Sequence, residues 1–552
     1  MGKGKLKGKI GLLCFYPILI LAACIKRDTQ QITPSFFGVA ENEEGPVANA
    51  RVRVQATEFL TYTDANGFFD FNPPISSQSV IITAWSEGHY VGWIEAAPSS
   101  EPLKIILAKY YTTDNPDYDW FSHEGALGSL SCSHCMPSYE EWIADAHSQS
   151  AVNPRFLSMY NGTDITGNQS PLTRHYFSPD YGSYPLPPDT SEPYYGPGYK
   201  LDFPSTSGNC STCHVPAQAA YPGQEYYADP NLASGIEKEG VFCEFCHKIG
   251  DVTLNSETNL PYNNLPGVLS MQLFRPKGEE QLFFGNFDDV NRRVSYLPLI
   301  EESAYCAPCH FGSFWNTTIY NSYGEWLDST YSDPEKGQTC QKCHMPAVDY
   351  NYFVYPEKGG LIRETGNIYS HRMPGATDDV LLQNSISMRV SAAREKGEIR
   401  LVVNITNDKT GHDVPTDFPL RQMILLIQAI NAKGDVVEMI QGERIPFYGG
   451  VGDPQEGYYA GLPGKIYMKV LQELWTQIYP SGAYWNPTTI LSDNRLSPFE
   501  TDTSEYTFYD AGAGRITIEI KLIYRRATKE LMVQKGWETD DILMESTTLV
   551  LE

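Results

Sequence analysis

Four short segments of the chain repeat one arrangement of side chains: two cysteines separated by two residues, with a histidine directly after the second cysteine. The four sets are Cys210, Cys213 and His214; Cys243, Cys246 and His247; Cys306, Cys309 and His310; and Cys340, Cys343 and His344. At this spacing the two thiols can bond to the two vinyl groups of one porphyrin, and the histidine that follows reaches its iron. The pattern therefore predicts four covalently attached haem c groups, which together would form a redox chain.

Cysteine pairs at this spacing also occur in zinc sites and iron-sulfur clusters, but two observations weigh against those alternatives. Only 11 of the 552 residues are histidine, so a histidine after all four pairs is not expected by chance. The intervals between the pairs are also longer than the usual loop of about 15 to 20 residues in a zinc ribbon. Disulfide bonds that staple the loops are the remaining structural alternative.

A fifth cysteine pair, Cys132 and Cys135, has the same spacing but is followed by Met136 in place of a histidine. Three interpretations remain open: a fifth haem with a thioether or distant ligand, a dithiol or disulfide without haem, or a structural metal site that uses His134. A methionine ligand would raise the reduction potential of such a haem. The sequence therefore predicts four haem c groups and leaves a fifth open.

The composition argues against several classes of function. The formal net charge is −26, whereas binding to nucleic acid, or to anionic lipid without a further anchor, requires clustered Lys and Arg. An acidic surface suits a basic redox partner, and it is equally consistent with a surface that is simply solvated. With 41% hydrophobic residues, 38 Pro, 45 Gly and 36 Tyr, the chain should be globular and rich in loops.

The N-terminus has the features of an export signal. Lysines at positions 3, 5, 7 and 9 precede an apolar stretch at 10–21 that is too short to span a membrane. The segment ends in Leu21-Ala22-Ala23-Cys24, which resembles the bacterial lipobox and implies that residues 1–24 are a lipoprotein signal peptide with lipid on Cys24. An ordinary signal peptide or an uncleaved anchor is the alternative. We expect an exported lipoprotein, periplasmic or at the cell surface and anchored in the outer membrane, with residues 25–35 as a tether.

Residues 36–108 alternate between apolar and polar side chains in short runs, such as Ala50 to Val54 and Val80 to Ala84, with a turn at Asp64 to Gly67. This pattern predicts a small β-sandwich. The segments GPVANARVRVQ and TDANGFFDF resemble carboxypeptidase regulatory-like domains. That resemblance implies a spacer or adhesion unit without catalytic residues.

Residues 120–379 hold all five cysteine pairs, and we expect a loop-rich multihaem domain with short helices. The stretch 150–205 is rich in Pro, Gly and Tyr, so it should place aromatic rings over porphyrin faces and contain no packed helix. The first cysteines of the complete sites lie 33 residues apart in one pair and 34 in the other. This spacing suggests a duplicated two-haem unit.

Residues 380–552 should form a β-rich domain, because segments such as EIRLVVNITN and RITIEIKLIYRR alternate strictly, and a short helix is expected near 529–535. Within this domain, Thr410 to Thr416 read TGHDVPT, which is similar to the GHxxPT loop of multihaem cytochromes. The expected fold class is therefore multidomain: an N-terminal β-sandwich, a loop-rich multihaem domain with short helices, and a β-rich C-terminal domain that contributes a haem ligand loop.

Through these motifs the chain from about 120 to 552 resembles bacterial multihaem c-type cytochromes, the group that includes the four-haem electron carrier of ammonia oxidisers and relatives of hydroxylamine oxidoreductase. The resemblance implies that a second histidine binds most of the irons. The first candidates for this distal role are His147, His371 and His412, with His175, His123 and Met136 after them.

An iron bound by two histidines can pass electrons but cannot bind a substrate. The predicted function is therefore electron transfer along the haems, between redox proteins such as other cytochromes or a quinol-linked donor, or to an external acceptor. One open haem would instead permit an oxidoreductase acting on a small nitrogen or sulfur oxyanion, with Arg372 and Arg421 as candidate anion ligands. A mainly structural or filament-forming surface protein is the third alternative.

Overall fold

The computed structural model of the protein describes residues 36–75, 79–99, 101–120, 128–278, 280–510 and 514–552. The predicted signal peptide with Cys24, the tether and His123 lie outside these residues. Within the described residues, no helix has both the length and the apolar character that crossing a membrane requires.

Residues 36–107 fold into two four-stranded sheets that share one core. The strands are β1 (Phe36–Asn42), β2 (Gly45–Pro46), β3 (Arg51–Val54), β4 (Leu60–Tyr62), β5 (Phe68–Phe71), β6 (Val80–Trp85), β7 (Gly92–Ala96) and β8 (Leu103–Ile106). Strand β1 pairs with β2 and β5 antiparallel and with β8 parallel, and the second sheet has the order β4-β3-β6-β7. Alternate side chains, among them Val52, Ile82 and Ile105, point inward and fill the space between the sheets.

Buried ion pairs fix this N-terminal unit to the cysteine-rich region. Arg51 and Arg53 approach Asp288 at 3.1 and 2.9 Å, and the Asp288 side chain is only 4% exposed. The neighbouring Asp289 is fully buried and accepts hydrogen bonds from the guanidinium of Arg363 and from the backbone N–H of Ala56. Buried charges are costly unless they are paired, so the removal of any one of these side chains would leave a buried charge without a partner and destabilise the interface.

Residues 128–383 consist of short helices and two-stranded sheets joined by long loops. The helices are α1 (Met136–Ile143), α2 (Pro154–Asn161), α3 (Tyr199–Asp202), α4 (Ser211–His214), α5 (Pro216–Ala219), α6 (Cys243–Cys246), α7 (Ser322–Leu327), α8 (Cys340–His344) and α9 (Asp379–Gln383). The strand pairs are β9 (His175–Ser178) with β10 (Gly182–Pro185), β11 (Ile249–Val252) with β12 (Met271–Leu273), β13 (Phe283–Gly285) with β14 (Val294–Tyr296), and β15 (Gly312–Phe314) with β16 (Thr317–Tyr320). Three cysteine motifs coincide with α4, α6 and α8, where a helical turn brings residues three apart to one face.

The expectation that 150–205 contains no packed helix is wrong for α2. The side chain of Asn153 caps the first turn by accepting hydrogen bonds from its backbone N–H groups, and Pro154 occupies the first helical position. Gly162 ends the helix in the left-handed conformation, with φ of 72°. These start and stop signals outweigh the Pro-, Gly- and Tyr-rich composition of the segment.

The C-terminal residues form two four-stranded antiparallel sheets, in the orders β17-β18-β24-β20 and β21-β19-β25-β26, around a shared core. The elements are β17 (Ser387–Glu395), β18 (Glu398–Thr406), β19 (Gln422–Asn431), β20 (Met439–Gln441), β21 (Gly464–Tyr467), β22 (Lys469–Glu473), β23 (Thr488–Asp493), β24 (Thr501–Tyr509), β25 (Ile516–Arg525), α10 (Lys529–Lys535) and β26 (Ile542–Leu551). The alternating sequence segments coincide with β17, β18, β19 and β25. The domain boundaries at 108, 120 and 380 remain a prediction.

Helix α10 attaches the C-terminal sheets to α2. The Lys535 ammonium is fully buried and donates hydrogen bonds to the carbonyl oxygens of Ser158, Thr163 and Pro197, at 3.0, 3.1 and 2.6 Å. Burial lowers the pKa of Lys535 to about 7. Trp537 adds a hydrogen bond from its indole N–H to the Ser158 hydroxyl at 3.1 Å.

Replacing Asp289 with alanine tests the interface between the N-terminal unit and the cysteine-rich region. The Asp289→Ala substitution leaves the nearly buried Arg363 without its carboxylate, so we expect the free energy of unfolding to fall by about 3 kcal/mol. Denaturant unfolding, followed together with proteolysis between the two regions, measures this loss. The matched control Asp70→Ala removes an exposed carboxylate on β5 and should change stability by less than about 0.5 kcal/mol. Equal stabilities of the two variants would contradict the proposed role of the buried pair.

Candidate haem sites

Three pairs of imidazoles face each other at nearly the same distance. The ring centres of His147 and His310 are 6.2 Å apart, those of His247 and His371 6.5 Å, and those of His344 and His412 6.3 Å. Two metal–nitrogen bonds of about 2.0 Å, with about 1.1 Å from each nitrogen to its ring centre, span about 6.2 Å. Each pair therefore leaves room for one metal ion between two nitrogens, and each contains one histidine of a CxxCH motif.

Hydrogen bonds at Nδ1 orient five of these six imidazoles. The Nδ1 contacts are His147 with Asp145 Oδ1 at 2.6 Å, His247 with Phe284 O at 2.5 Å, His344 with Pro374 O at 2.7 Å, His371 with Tyr369 O at 3.2 Å and His412 with Asp413 O at 2.9 Å. Because Nδ1–H donates to these oxygens, Nε2 carries the free lone pair that can bind a metal. By contrast, both ring nitrogens of His89 form hydrogen bonds, one with the Glu87 carbonyl and one with the Asn42 amide, so neither nitrogen is free to bind a metal.

Burial favours the neutral form of three of these imidazoles, which is the protonation state that binds metals. Burial, together with the partner imidazole, lowers the pKa of His344 and of His371 to about 4. Burial also lowers the pKa of His247. His310 differs: burial lowers its pKa, but the carboxylate of Asp417, 3.8 Å from Nδ1, outweighs burial and raises the pKa above its ordinary value.

The cysteine motifs form a connected series in space. In three pairs of neighbouring motifs, one thiol shifts the pKa of another: Cys243 that of Cys132, Cys309 that of Cys213, and Cys306 that of Cys340. The thiol of Cys246 also acts electrostatically on Cys306. The motif at Cys306 thus lies near the three motifs that contain Cys340, Cys213 and Cys246. The duplicated two-haem unit remains a prediction.

His214 has different surroundings from the other CxxCH histidines. The ring of Phe156 stacks on its imidazole, with centres 3.8 Å apart and planes 3° apart, and Nδ1 faces the Ser150 carbonyl at 3.2 Å. Burial lowers the pKa of His214 to about 4. Among the described residues, no second imidazole ring contacts His214. His175, predicted as a distal ligand, is exposed on β9 and lies in none of the three pairs.

Tyrosines surround the thiol of Cys210. Burial raises the pKa of four tyrosine side chains, and the charge of the Cys210 thiolate would raise it further. These tyrosines are Tyr160, Tyr199, Tyr320 and Tyr484. Two of them, Tyr160 and Tyr199, stack with ring centres 5.6 Å apart. Such an aromatic lining can cover a flat, apolar cofactor.

The fifth cysteine pair lies at the start of α1. Cys132 has a raised pKa, first through its hydrogen bond with Cys243 and then through burial, and burial also raises the pKa of Cys135 to about 11. Met136 begins α1, and His134 is exposed. In the described part of the chain, no three His, Cys, Asp or Glu side chains are arranged to hold a metal ion. The three interpretations of this pair therefore stay open.

Two carboxylates that were not predicted as site residues, Asp145 and Glu141, hold the imidazoles in place. Asp145 accepts hydrogen bonds from both the backbone and the ring of His147, and its position two residues before that histidine is a recognisable local signal. Glu141 accepts the backbone N–H of His371 at 2.6 Å. No sequence signal links Glu141 to His371, because the two residues are distant in the chain.

A buried charge network holds the loop that carries His412. The Arg495 guanidinium is bonded to Glu325 at 2.6 Å, to Asp413 at 2.9 Å and to Asp493 at 2.8 Å. Glu325 in turn accepts a hydrogen bond from the Thr416 hydroxyl at 2.6 Å. Burial raises the pKa of Asp413, Glu325 raises it further, and Arg495 counteracts both effects.

The chain was compared with known proteins. No protein-family model matches it, and no curated protein matches its sequence. Among solved structures, it is similar to a penta-haem cytochrome c552 from Thermochromatium tepidum, with a TM-score of 0.51 and 17% identity over 78% of this chain and 100% of that chain. A match to the Fcho1 Mu homology domain of Danio rerio has a TM-score of 0.12 at 6% identity, over 31% of this chain and 44% of that one, and carries no argument.

The first of these likenesses places most of the chain in the fold of a multihaem c-type cytochrome. It therefore supports, at the level of fold, the class of protein that the CxxCH motifs indicate. The carboxypeptidase regulatory-like resemblance and the lipoprotein signal remain predictions.

The Arg495→Gln substitution tests the charge network at the His412 loop. Without the cation, buried carboxylates lose their partner, so we expect the free energy of unfolding to fall by about 3 kcal/mol at pH 8. The loss should be smaller at pH 5. The pKa of Asp413 is higher in the folded state than in the unfolded state, so the folded protein takes up a proton more readily. The contribution of this group to stability therefore falls as the pH rises. Denaturant unfolding at both pH values measures the difference.

Arg400→Gln is the matched control for this experiment, because Arg400 is exposed on β18. We expect it to change stability by less than about 0.5 kcal/mol at either pH. A loss in Arg495→Gln that is the same at pH 5 and pH 8 would contradict the electrostatic explanation.

Proposed function

We propose that the protein is an exported multihaem c-type cytochrome that transfers electrons along covalently bound haems. The observation that carries the proposal is the set of three histidine pairs, each with room for one iron and each containing the histidine of a CxxCH motif. The fold likeness to a penta-haem cytochrome supports the same class.

The residues present fit haem c. The cysteines of all five pairs are free thiols, as thioether attachment requires. In the proposed arrangement His310, His247 and His344 are proximal ligands, and His147, His371 and His412 are their distal ligands. Bound haem c supplies one-electron redox chemistry. The cysteines would hold the haems covalently, and the three histidine pairs would bind three of the irons through Nε2 and exclude water and substrate from them.

The contacts between motifs support a relay. Cys132 meets Cys243, Cys246 lies near Cys306, and the motif at Cys306 reaches both Cys340 and Cys213. Haems attached to neighbouring motifs would therefore lie close together, and an electron could pass between them without a mobile carrier. The donor and acceptor at the ends of this relay would be redox proteins, such as other cytochromes or a quinol-linked donor, or an external acceptor.

Intact mass of protein matured in a host with c-haem machinery, together with electron paramagnetic resonance of the same sample, tests this proposal. We expect the mass of at least four haems, which separates covalent attachment from loose binding. A fifth haem mass would assign the Cys132 and Cys135 pair to haem. Protein that gains no haem mass in such a host would refute the proposed function.

Single alanine variants of the distal histidines test the ligand assignment. In His147→Ala, His371→Ala or His412→Ala, one iron loses its sixth ligand, so we expect one haem per molecule to change from low spin to high spin in the resonance spectrum. His175→Ala is the matched control, and its spectrum should equal that of the wild type, because this side chain is exposed and unpaired with any CxxCH histidine. A spectral change in the control alone would overturn the assignment.

Cell fractionation tests the proposed lipid anchor at Cys24. The wild-type protein should sediment with the outer membrane, whereas Cys24→Ser lacks the thiol that accepts lipid and should be released into the soluble fraction or retained as an unprocessed precursor. Incorporation of labelled fatty acid in the wild type but not in the variant is the direct measurement. Labelling that persists in Cys24→Ser would exclude this anchor.

The surroundings of His214 favour a second candidate function. Phe156 stacks on its imidazole, and among the described residues no second histidine ring contacts it, so a haem bound at this motif would be able to admit a small molecule at its iron. The chain would then be an oxidoreductase for a small nitrogen or sulfur oxyanion at this haem. One high-spin haem in the wild type, with turnover of nitrite, hydroxylamine or sulfite, would support this function; uniformly low-spin haems would exclude it.

A further inference from the structure

Two arginines lie next to the end of the pairing between β19 and β25. The antiparallel pairing of these strands extends to Gln422 opposite Arg525, and Arg421 and Arg526 are the next residues along each strand. Besides burial, the charge of Arg421 acts on Arg526 and lowers its pKa. Neighbouring like charges are destabilising, so this arrangement calls for a compensating negative group.

A third arginine joins them from α2. The guanidinium of Arg155 lies 5.0 Å from the ring centre of Trp537 and donates to the Thr539 hydroxyl. Burial lowers the pKa of Arg155 to about 10, and the positive charges of Arg526 and Arg421 contribute to the shift. Burial and Arg421 likewise lower the pKa of Arg526. Met159 of α2 packs in one core with Leu420 and Ala527, the chain neighbours of Arg421 and Arg526, so the packing itself brings the three arginines together.

The protein supplies little negative charge to this cluster. Asp417 approaches Arg421 at 3.8 Å, but it also accepts a hydrogen bond from Ser322 and faces His310. Within the described ranges, no carboxylate forms an ion pair with Arg155 or Arg526. All three arginines are partly exposed, so an anion from solution or from a cofactor can reach them. In a chain of net charge −26, such uncompensated positive charge is a local exception.

The cluster lies beside two of the CxxCH histidines. Arg155 precedes Phe156, whose ring stacks on His214. On the other side, Asp417 connects Arg421 to His310. An anion held by the three guanidiniums would therefore lie near the haem sites of both motifs.

We propose that Arg155, Arg421 and Arg526 form a binding site for a carboxylate or small oxyanion next to the His214 site. Planar guanidinium groups donate pairs of parallel N–H bonds, which match the two oxygens of such an anion. The anion has two potential sources: a propionate of a haem attached at Cys210 and Cys213, or a soluble oxyanion such as nitrite or sulfite. The first source rests on the proposed haem binding, and the second does not require it.

The test compares Arg526→Gln and Arg421→Gln with the exposed control Arg400→Gln, all as full-length protein matured with haem. Intact mass first establishes the haem content of each sample. Redox titration then gives the midpoint potentials of the haems, and calorimetric titration with sodium nitrite or sodium sulfite, at constant ionic strength, gives anion binding.

If haem propionates fill the site, one midpoint potential should shift negative in Arg526→Gln and Arg421→Gln, because a nearby positive charge stabilises the reduced haem. If a soluble anion fills it, the wild type and Arg400→Gln should bind nitrite or sulfite saturably, and the two cluster variants should bind at least tenfold more weakly. Cluster variants that match Arg400→Gln in both measurements would overturn the inference. If the wild-type protein carries no haem, the proposed function is refuted instead. The titration with nitrite or sulfite would then still decide whether the three arginines bind an anion.

Discussion

The proposed sites depend on a geometric constraint at the histidines: the ring centres of two imidazoles must lie about 6.2 Å apart to hold one metal ion, with Nε2 free to bind it. The chain meets this constraint with residues from separate regions. His147 follows α1, His371 precedes α9, and His412 lies in the loop between β18 and β19. Each distal candidate is thus placed by a different part of the fold, and the carbonyl or carboxylate at Nδ1 fixes its orientation.

This constraint gives the β-rich C-terminal region a role in the site. A ring-to-ring distance of 6.3 Å between His344 and His412 requires that the sheets hold their loop firmly against the cysteine-rich region. The buried network around Arg495 provides such a connection, since Glu325 belongs to α7 and Asp413 to the loop itself. The bonds of Lys535 to three carbonyls near α2 provide a second one.

Local sequence patterns and tertiary placement differ in how far they can be predicted. The CxxCH motifs and the alternating segments at β18 and β25 are visible in the sequence because each depends only on neighbouring residues. Resemblance ranked His147, His371 and His412 first, but which CxxCH histidine each one faces depends on contacts between distant segments. The even spacing of the motifs does not show which thiols lie near one another for the same reason: distance along the chain does not determine distance in space.

The five cysteine motifs are not equivalent, and their differences suggest a direction for the proposed relay. Three motifs have imidazole pairs, which would leave no open position on an iron bound between them, whereas His214 has an aromatic ring and a nearby cluster of arginines. Positive charge stabilises a reduced haem relative to an oxidised one. The motif at Cys306 lies near both Cys340 and Cys213. An electron on a haem at the Cys306 motif would therefore be drawn toward the haem at Cys213, which is the one beside the arginine cluster. Among the CxxCH motifs of the described residues, the one whose histidine contacts no second imidazole would then also be the site where electrons collect, which is the combination that a reaction with an external acceptor requires.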